Sequence, residues 1–187
     1  MSGNSLDPVL QAIVRSATEA TGAGEGWLLA VEDNDLRAVA AAGTQPGQAL
    51  DVVVPGTSSA AGYAAASGEP IVLSPGSRDP RLGEGIAAAL GRQPTSLLCV
   101  PCGTEQAVVG VLELIDKVGG GPFSFDDLEL ATILAEIAGA ALAAAGATAR
   151  PVATPDELAT ELRTLALNDP ERYEAVATVL EALLAHG

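Results

Sequence analysis

The chain has few of the residue types that metal and redox sites require. Its 187 residues include one histidine, His186, which is the penultimate residue, and two cysteines, Cys99 and Cys102. A structural zinc site takes four Cys or His ligands, and a disulfide framework takes several cysteine pairs. We therefore predict no metal, no cofactor and no disulfide scaffold.

Basic residues and long apolar runs are also scarce. Nine Lys and Arg stand against 24 Asp and Glu, which gives a formal net charge of −15. Nucleic acids and anionic membrane surfaces attract basic proteins, so this acidic protein is predicted to bind neither. No apolar run approaches the length of a membrane span, and the N-terminus MSGNSLDPVL lacks the pattern of a signal peptide. These features predict a cytoplasmic protein.

Aromatic residues make up 3% of the chain, whereas hydrophobic residues as a whole make up 48%. The core must therefore be built from aliphatic side chains and close backbone approach. A chain of this length suits one domain with an appendage. We predict a main domain over residues 1–146, a linker over 147–154 and a C-terminal two-helix tail over 155–187. So short a tail cannot build a sufficient core alone, and we expect it to pack on the main domain, a second copy or a partner.

Two apolar runs, Leu97–Cys102 and Ala107–Ile115, flank a polar turn that contains a glycine. This pattern predicts an antiparallel hairpin. The second run is too uniformly apolar for a strand with one wet face, so it is predicted to be central and buried on both sides. Its one charged residue, Glu113, must then point outward or have a partner. With a helix from Asp7, three earlier strands ending with 50–54, and helices over 57–67 and 83–91, the order gives a three-layer α+β domain.

The segment after the hairpin predicts a long helix. Ser124 and Asp127 have the spacing of a capping box. The larger aliphatic residues are predicted to form the buried stripe of this helix, and its alanines a second face on which another helix can lie close. The predicted stripe is Leu130, Ile133, Leu134, Ile137 and Ala141, and the predicted small-residue face is Ala131, Ala135 and Ala145.

The hairpin and its flanks resemble the GAF domain family of sensory and regulatory modules, and in particular a small stand-alone member. The resemblance covers roughly residues 6 to 146 and implies a GAF-like central antiparallel sheet flanked by helices, here followed by a short C-terminal helical hairpin. The matching segments are Ser96–Pro101, Val109–Leu114, Asp116–Lys117, Pro122–Ser124 with Asp127, and upstream Gly62–Pro70 and Asp79–Arg81.

The resemblance places any ligand on the sheet face opposite the terminal helices, beneath residues 57–67 and 74–95. Three arginines in this region are suited to a phosphate or carboxylate, although surface solubility explains them equally well. The predicted ligand-binding residues are Tyr63, Arg78, Asp79, Arg81, Arg92 and Thr95.

The chain departs from the chemically specialised members that it resembles. Haem-binding relatives use a histidine within the domain, and bilin-binding relatives use a cysteine outside the central hairpin. Free methionine sulfoxide reductases of this fold carry catalytic cysteines in a segment that here, over 57–95, contains none. We therefore predict that the protein is not an enzyme. Asp116–Lys117, Phe123 and Asp127 are similar to the motif of cyclic-nucleotide-binding members, in which the Lys and Asp form a structural salt bridge.

Three hypotheses of function stay open. The first is a non-catalytic sensory or regulatory module that binds a small molecule and signals to a partner protein through a homodimer formed by the helices at 7–20 and 124–146. The second is an adaptor or scaffold with a vestigial pocket that acts on a protein partner through its 155–187 tail. The third is a redox enzyme or sensor that uses Cys99 and Cys102. Residues three apart in a strand point to opposite faces about 10 Å apart, which is beyond disulfide reach.

Overall fold

The computed structural model describes residues 7–43, 46–75, 86–103, 107–149, 155–170, 172–174 and 176–177. The chain divides into two compact units, Met1–Thr148 and Ala149–Gly187. The elements in chain order are α1 (Asp7–Thr21), β1 (Ala23–Glu32), β2 (Asp35–Ala42), α2 (Pro46–Ala49), β3 (Val53–Pro55), α3 (Ala60–Ser67), β4 (Ile71–Leu73), α4 (Ile86–Leu90), β5 (Leu97–Gly103), β6 (Val108–Lys117), α5 (Phe125–Ala149) and α6 (Pro155–Asn168).

The six strands form an antiparallel sheet in the order β3-β2-β1-β6-β5-β4. β6 pairs with β1 on one side and with β5 on the other, and Val111 to Ile115 are buried without interruption. The predictions of a β5–β6 hairpin and of a central second strand are confirmed, as is the α+β fold.

The sheet separates two apolar cores, because alternate residues of a strand point to opposite faces. The first core includes Leu112 and Leu114 of β6 and residues of α1 and α5, among them Val14 and Ala135. The second core includes Val111 and Ile115 of β6 and residues of α3 and α4. Its members in those two helices are Ala60, Ala61, Ala64 and Ile86.

The predicted buried stripe of α5 is wrong for Leu130, Ile133 and Ile137, which are exposed, whereas Leu134 and Ala141 do pack against the first core. Ala131, Ala135 and Ala138 are buried against the sheet, whereas Ile133 and Ile137 are 57% and 50% exposed. The helix turns its small-residue face inward because the backbones come very close there. A Cβ on Gly139 would lie 2.6 Å from the carbonyl oxygen of Gly103, too close for any side chain.

The stretch Phe125–Gly146 of α5 has the length and hydropathy of a membrane-spanning helix. The core helix of a globular domain satisfies the same test, and the alanine face of α5 packs in the first core. Packing in the first core therefore accounts for the apolar residues on the alanine face of α5. It does not account for the exposed isoleucines Ile133 and Ile137.

Smaller differences from the predicted elements lie near the sheet edges. The predicted strand over 50–54 is present only in its second half, as β3 (Val53–Pro55), because Leu50 and Asp51 form a turn after α2 in which Asp51 has φ +66°. The helix predicted over 83–91 is present as α4, Ile86–Leu90. The first helix of the predicted tail is present as α6, while most of the second lies outside the described residues.

Candidate functional site

The helix α3 covers the second core through small side chains. Ser59 caps its N-terminus, where the Ser59 hydroxyl accepts a hydrogen bond from the Gly62 amide at 2.9 Å and donates one to the Pro55 carbonyl at 2.6 Å. A Cβ on Gly62 would lie 2.2 Å from the carbonyl oxygen of Gly56, so glycine is required for this approach. Gly68 ends the helix with φ +69°. These contacts tie the start of α3 to the end of β3, and the helix packs against β5 and β6.

Beneath α3 and α4, three side chains form a transverse row across the centre of the sheet. Trp27 of β1 and Cys99 of β5 are the direct neighbours of Glu113 on either side. Trp27 and Cys99 belong to the second core, and Glu113 alternates with two of its members, Val111 and Ile115. The row therefore lies on the sheet face where the sequence resemblance places a ligand.

Glu113 is a carboxyl group buried among apolar side chains with only 2% of its surface exposed. Its Oε1 accepts a hydrogen bond from the Cys99 thiol, with the sulfur 3.4 Å away. Its Oε2 is buried and has no hydrogen-bond partner among the residues that the structure describes. Burial raises the pKa of Glu113 to about 7, against a smaller lowering by the Cys99 hydrogen bond.

The sequence led us to expect that Glu113 would point outward or have a partner. The side chain points into the core and has a partner at Oε1, the Cys99 thiol, while Oε2 has none among the described residues. Burial disfavours the ionised form of Glu113 and so raises its pKa. The neutral acid therefore stays populated near neutral pH.

The two cysteines lie in different cores. Cys99 belongs to the second core and Cys102 to the first, on the other face of the sheet. Both are buried and neither forms a disulfide, as the strand geometry predicts. Burial raises the pKa of the Cys102 thiol to about 12, and the thiolate is the reactive form of cysteine. Joint chemistry of this pair would require rearrangement of β5.

Arg92 and Thr95, two of the predicted ligand-binding residues, are bound to Asp116 at the end of β6. Oδ1 of Asp116 accepts hydrogen bonds from the Thr95 amide at 2.6 Å and from the Thr95 hydroxyl at 2.9 Å, and Arg92 forms a salt bridge with Oδ2. Burial raises the pKa of Asp116, but these contacts outweigh it and hold the pKa below its usual value. Asp116 thus ties the segment before β5 to the end of β6, where its own φ is +56°.

The other predicted ligand-binding residues are not brought together by the described part of the chain. Tyr63 lies on α3 and is 53% exposed, and Arg78, Asp79 and Arg81 lie outside the described residues. Contact of these six residues with a ligand stays a prediction. The residue that the prediction missed is Glu113, whose only sequence signal is its position as a lone acid in an apolar run.

The salt bridge implied for Lys117 and Asp127 is present. Lys117 Nζ lies 2.8 Å from both carboxylate oxygens of Asp127. The predicted capping box is also confirmed, because the Asp127 amide donates to the Ser124 hydroxyl at 3.2 Å while the Asp127 carboxylate accepts from the Ser124 amide at 2.7 Å. Burial raises the pKa of Asp127, but these partners outweigh it and lower the pKa overall. The cluster joins the end of β6 to the start of α5 and is structural.

A shallow cleft of about 290 Å³ lies beside the β1–β2 turn and α3. Its polar rim is Asp33, Asn34 and Asp35, and its apolar wall includes Val31 and Ala66.

Within the described ranges, no group of three or more His, Cys, Asp or Glu side chains is placed to hold a metal ion.

Comparison with known proteins agrees with the fold. The family model of the GAF domain matches residues 5–142. The GAF-B domain of DevS from Mycobacterium smegmatis is 24% identical with a TM-score of 0.60, over 78% of this chain and 98% of that one. The GAF domain of an Acinetobacter phosphoenolpyruvate-protein phosphotransferase is 20% identical with a TM-score of 0.66, over 80% and 89% of the two chains.

A type II free methionine-R-sulfoxide reductase from Thermoplasma acidophilum is 11% identical with a TM-score of 0.58, over 75% of this chain and 96% of that one. At this identity the likeness shows the fold alone. The chain belongs to the GAF family, whose members are regulatory and sensory modules that often bind small molecules.

Proposed function

We propose that this protein is a non-catalytic sensory module that binds a small molecule between the sheet and α3/α4 and signals to a partner protein through a cytoplasmic homodimer. β6 links the two sides, because its alternate residues belong to the core beneath α3 and to the core beneath α1 and α5. A ligand that shifts one face of β6 therefore acts directly on the packing of the opposite face. The burial of the two cysteines on opposite faces supports a role without redox catalysis.

The observation that carries the signalling part is the exposed aliphatic face of α5. Ile133 and Ile137 lie one helical turn apart and are half exposed, and Leu130 continues the same ridge at the preceding turn. Contiguous exposed apolar surface on a globular domain commonly marks an interaction site. A second copy of the chain presents the same ridge, so two copies of α5 bury it mutually in an isologous contact.

The test is the sedimentation of the full chain at micromolar concentration. We expect the wild type to be a dimer, and the double variant Ile133→Glu/Ile137→Glu to be a monomer with unchanged far-UV circular dichroism. Val118→Glu is the matched control, because Val118 is an exposed aliphatic residue away from this ridge. A wild-type monomer, or a double variant that still dimerises, would contradict the proposal.

A second candidate function is an adaptor that acts through its tail. The observation that favours it is Leu167 of α6, which is 84% exposed. In that case Leu167→Glu abolishes capture of the partner in a cross-linking assay, whereas the α5 double variant retains it. The sensory function predicts the reverse dependence, because its output requires the α5 dimer.

A further inference from the structure

We propose that Glu113 is the polar anchor of the small-molecule site and that it selects a ligand with a positively charged N–H donor group, such as an amidinium or a protonated amine. This inference rests on the proposed ligand-binding function and adds the chemical class of the ligand. It depends on the partners of Glu113, on the charges around it and on its aromatic neighbour.

The first observation is the unmet hydrogen-bonding capacity of the Glu113 carboxyl group. Buried polar atoms in folded proteins nearly always have partners, and an unpaired one costs free energy. Within the described part of the chain, Oε1 accepts from the Cys99 thiol, which is a weak donor, and Oε2 has no partner. Val111 and Ile115, the neighbours of Glu113 on the same face of β6, show that aliphatic side chains suit this core. The carboxyl group is therefore not explained by packing.

The second observation is the distribution of charge around the carboxyl group. Arg92 and Lys117, the described basic residues at the nearby end of the sheet, already pair with Asp116 and Asp127. Glu25 is opposite Ile115 in the register and is also buried, so a second acidic side chain precedes Trp27 along β1. Among the described residues, the buried charged side chains of this face, Glu25 and Glu113, are both acidic, so a cation complements them better than an anion does. The net charge of −15 also favours the approach of cations.

The third observation is the aromatic neighbour. Trp27 lies directly opposite Glu113 in the β1–β6 register. The face of an indole ring attracts organic cations, most strongly when water is excluded. A carboxylate beside an indole offers a planar cation a charged acceptor and an aromatic surface together.

The elements above the row are small. α3 has eight residues and α4 has five, and α3 meets the sheet through Ala60, Ala61 and Ala64. Displacing alanine side chains exposes much less apolar surface than displacing larger ones, so lifting α3 from the row loses little apolar burial.

The test uses benzamidine as a cationic probe, with benzamide and benzoate as neutral and anionic counterparts of similar shape. Trp27 is the only tryptophan, so its emission reports on this row, and calorimetry measures the same affinity independently. At pH 8 we expect saturable benzamidine binding at millimolar concentration or below, with benzamide and benzoate weaker. Glu113→Gln should weaken benzamidine binding by about 10- to 100-fold, the loss typical of a hydrogen bond to a charged group.

Two controls keep the result specific. Glu129→Gln removes an exposed charge on α5 and should leave binding unchanged, and thermal melting of Glu113→Gln establishes that the variant is folded. Equal binding by wild type and Glu113→Gln, equal affinity for the three probes, or no binding by any of them would each overturn the proposal. None of these outcomes touches the proposed signalling function, because the sedimentation of the α5 variants tests that separately.

Discussion

The buried carboxyl group of Glu113 should make the folded protein less stable, relative to the unfolded chain, as the pH rises through the weakly acidic range. Burial raises the pKa of this carboxyl group from 4.5 to about 7 in the folded protein. Between these two values the unfolded chain has released the proton while the folded chain retains it. The free energy of unfolding therefore falls as the pH rises from about 4.5 to 7 and is level above, with a total loss of about 3 kcal/mol.

The variant Glu113→Gln removes the titrating group while keeping nearly the same shape. We expect its unfolding free energy to change little between pH 5 and 8, and to exceed that of the wild type by about 2–3 kcal/mol at pH 8. The lowered pKa values of Asp116 and Asp127 have the opposite effect on stability. The ionised carboxylates stabilise the folded protein, and this stabilisation is lost only in more acidic solution, as the pH falls through their lowered pKa values. The two effects occupy separate pH ranges.

Urea unfolding monitored by the circular dichroism of the full chain, at one protein concentration and a series of pH values, measures this directly. Glu129→Gln serves as the control, because Glu129 is exposed on α5 and its loss should leave the pH profile of the wild type in place. A wild-type stability that does not fall between pH 5 and 7 would refute the assignment of Glu113 as a buried acid. So would a Glu113→Gln variant that falls in parallel with the wild type.

Three further predictions concern the packing of the sheet. Leu112→Ala should lower the unfolding free energy by about 2–5 kcal/mol, because Leu112 is fully buried in the first core; a loss near zero in urea would show that β6 is packed differently. Gly139→Ala should cost about 1–3 kcal/mol by forcing α5 away from Gly103, whereas Gly146→Ala, where a Cβ meets nothing, should be neutral or stabilising in the same assay. Lys117→Met should cost about 1–3 kcal/mol, because it leaves the largely buried Asp127 carboxylate without its ion-pair partner; wild-type stability would mean that the pair contributes nothing.

Much of the fold could be predicted because local and long-range signals agree. The β5–β6 hairpin has a turn between two apolar runs, and the start of α5 has the Ser124–Asp127 capping box. The buried face of α5 could not be predicted in the same way. Alanines and larger aliphatic residues occur all round the helix, so periodicity does not separate Ala135 from Ile133. The close approach of Gly139 to Gly103 decides the orientation, and this contact joins residues far apart in sequence.

Only part of the candidate site could be predicted from the sequence, because its neighbours are also set by contacts between residues far apart in the chain. Glu113 stands out in the sequence as an acid among aliphatic residues, but strand register determines that Trp27 and Cys99 flank it. Arg92 and Thr95 were predicted to face a ligand because the family resemblance places their segment over the site and their side chains are polar. Their actual partner, Asp116, depends on a left-handed backbone at the end of β6 that the sequence does not announce.

The proposed sensory function depends on a dimer and a retained or exchangeable ligand in the same protein. Native mass spectrometry of the purified full chain, first under gentle and then under denaturing conditions, measures both. We predict a dimer under gentle conditions, with an added mass that is lost on denaturation and belongs to a nitrogen base. A monomer without added mass at micromolar concentration would contradict it.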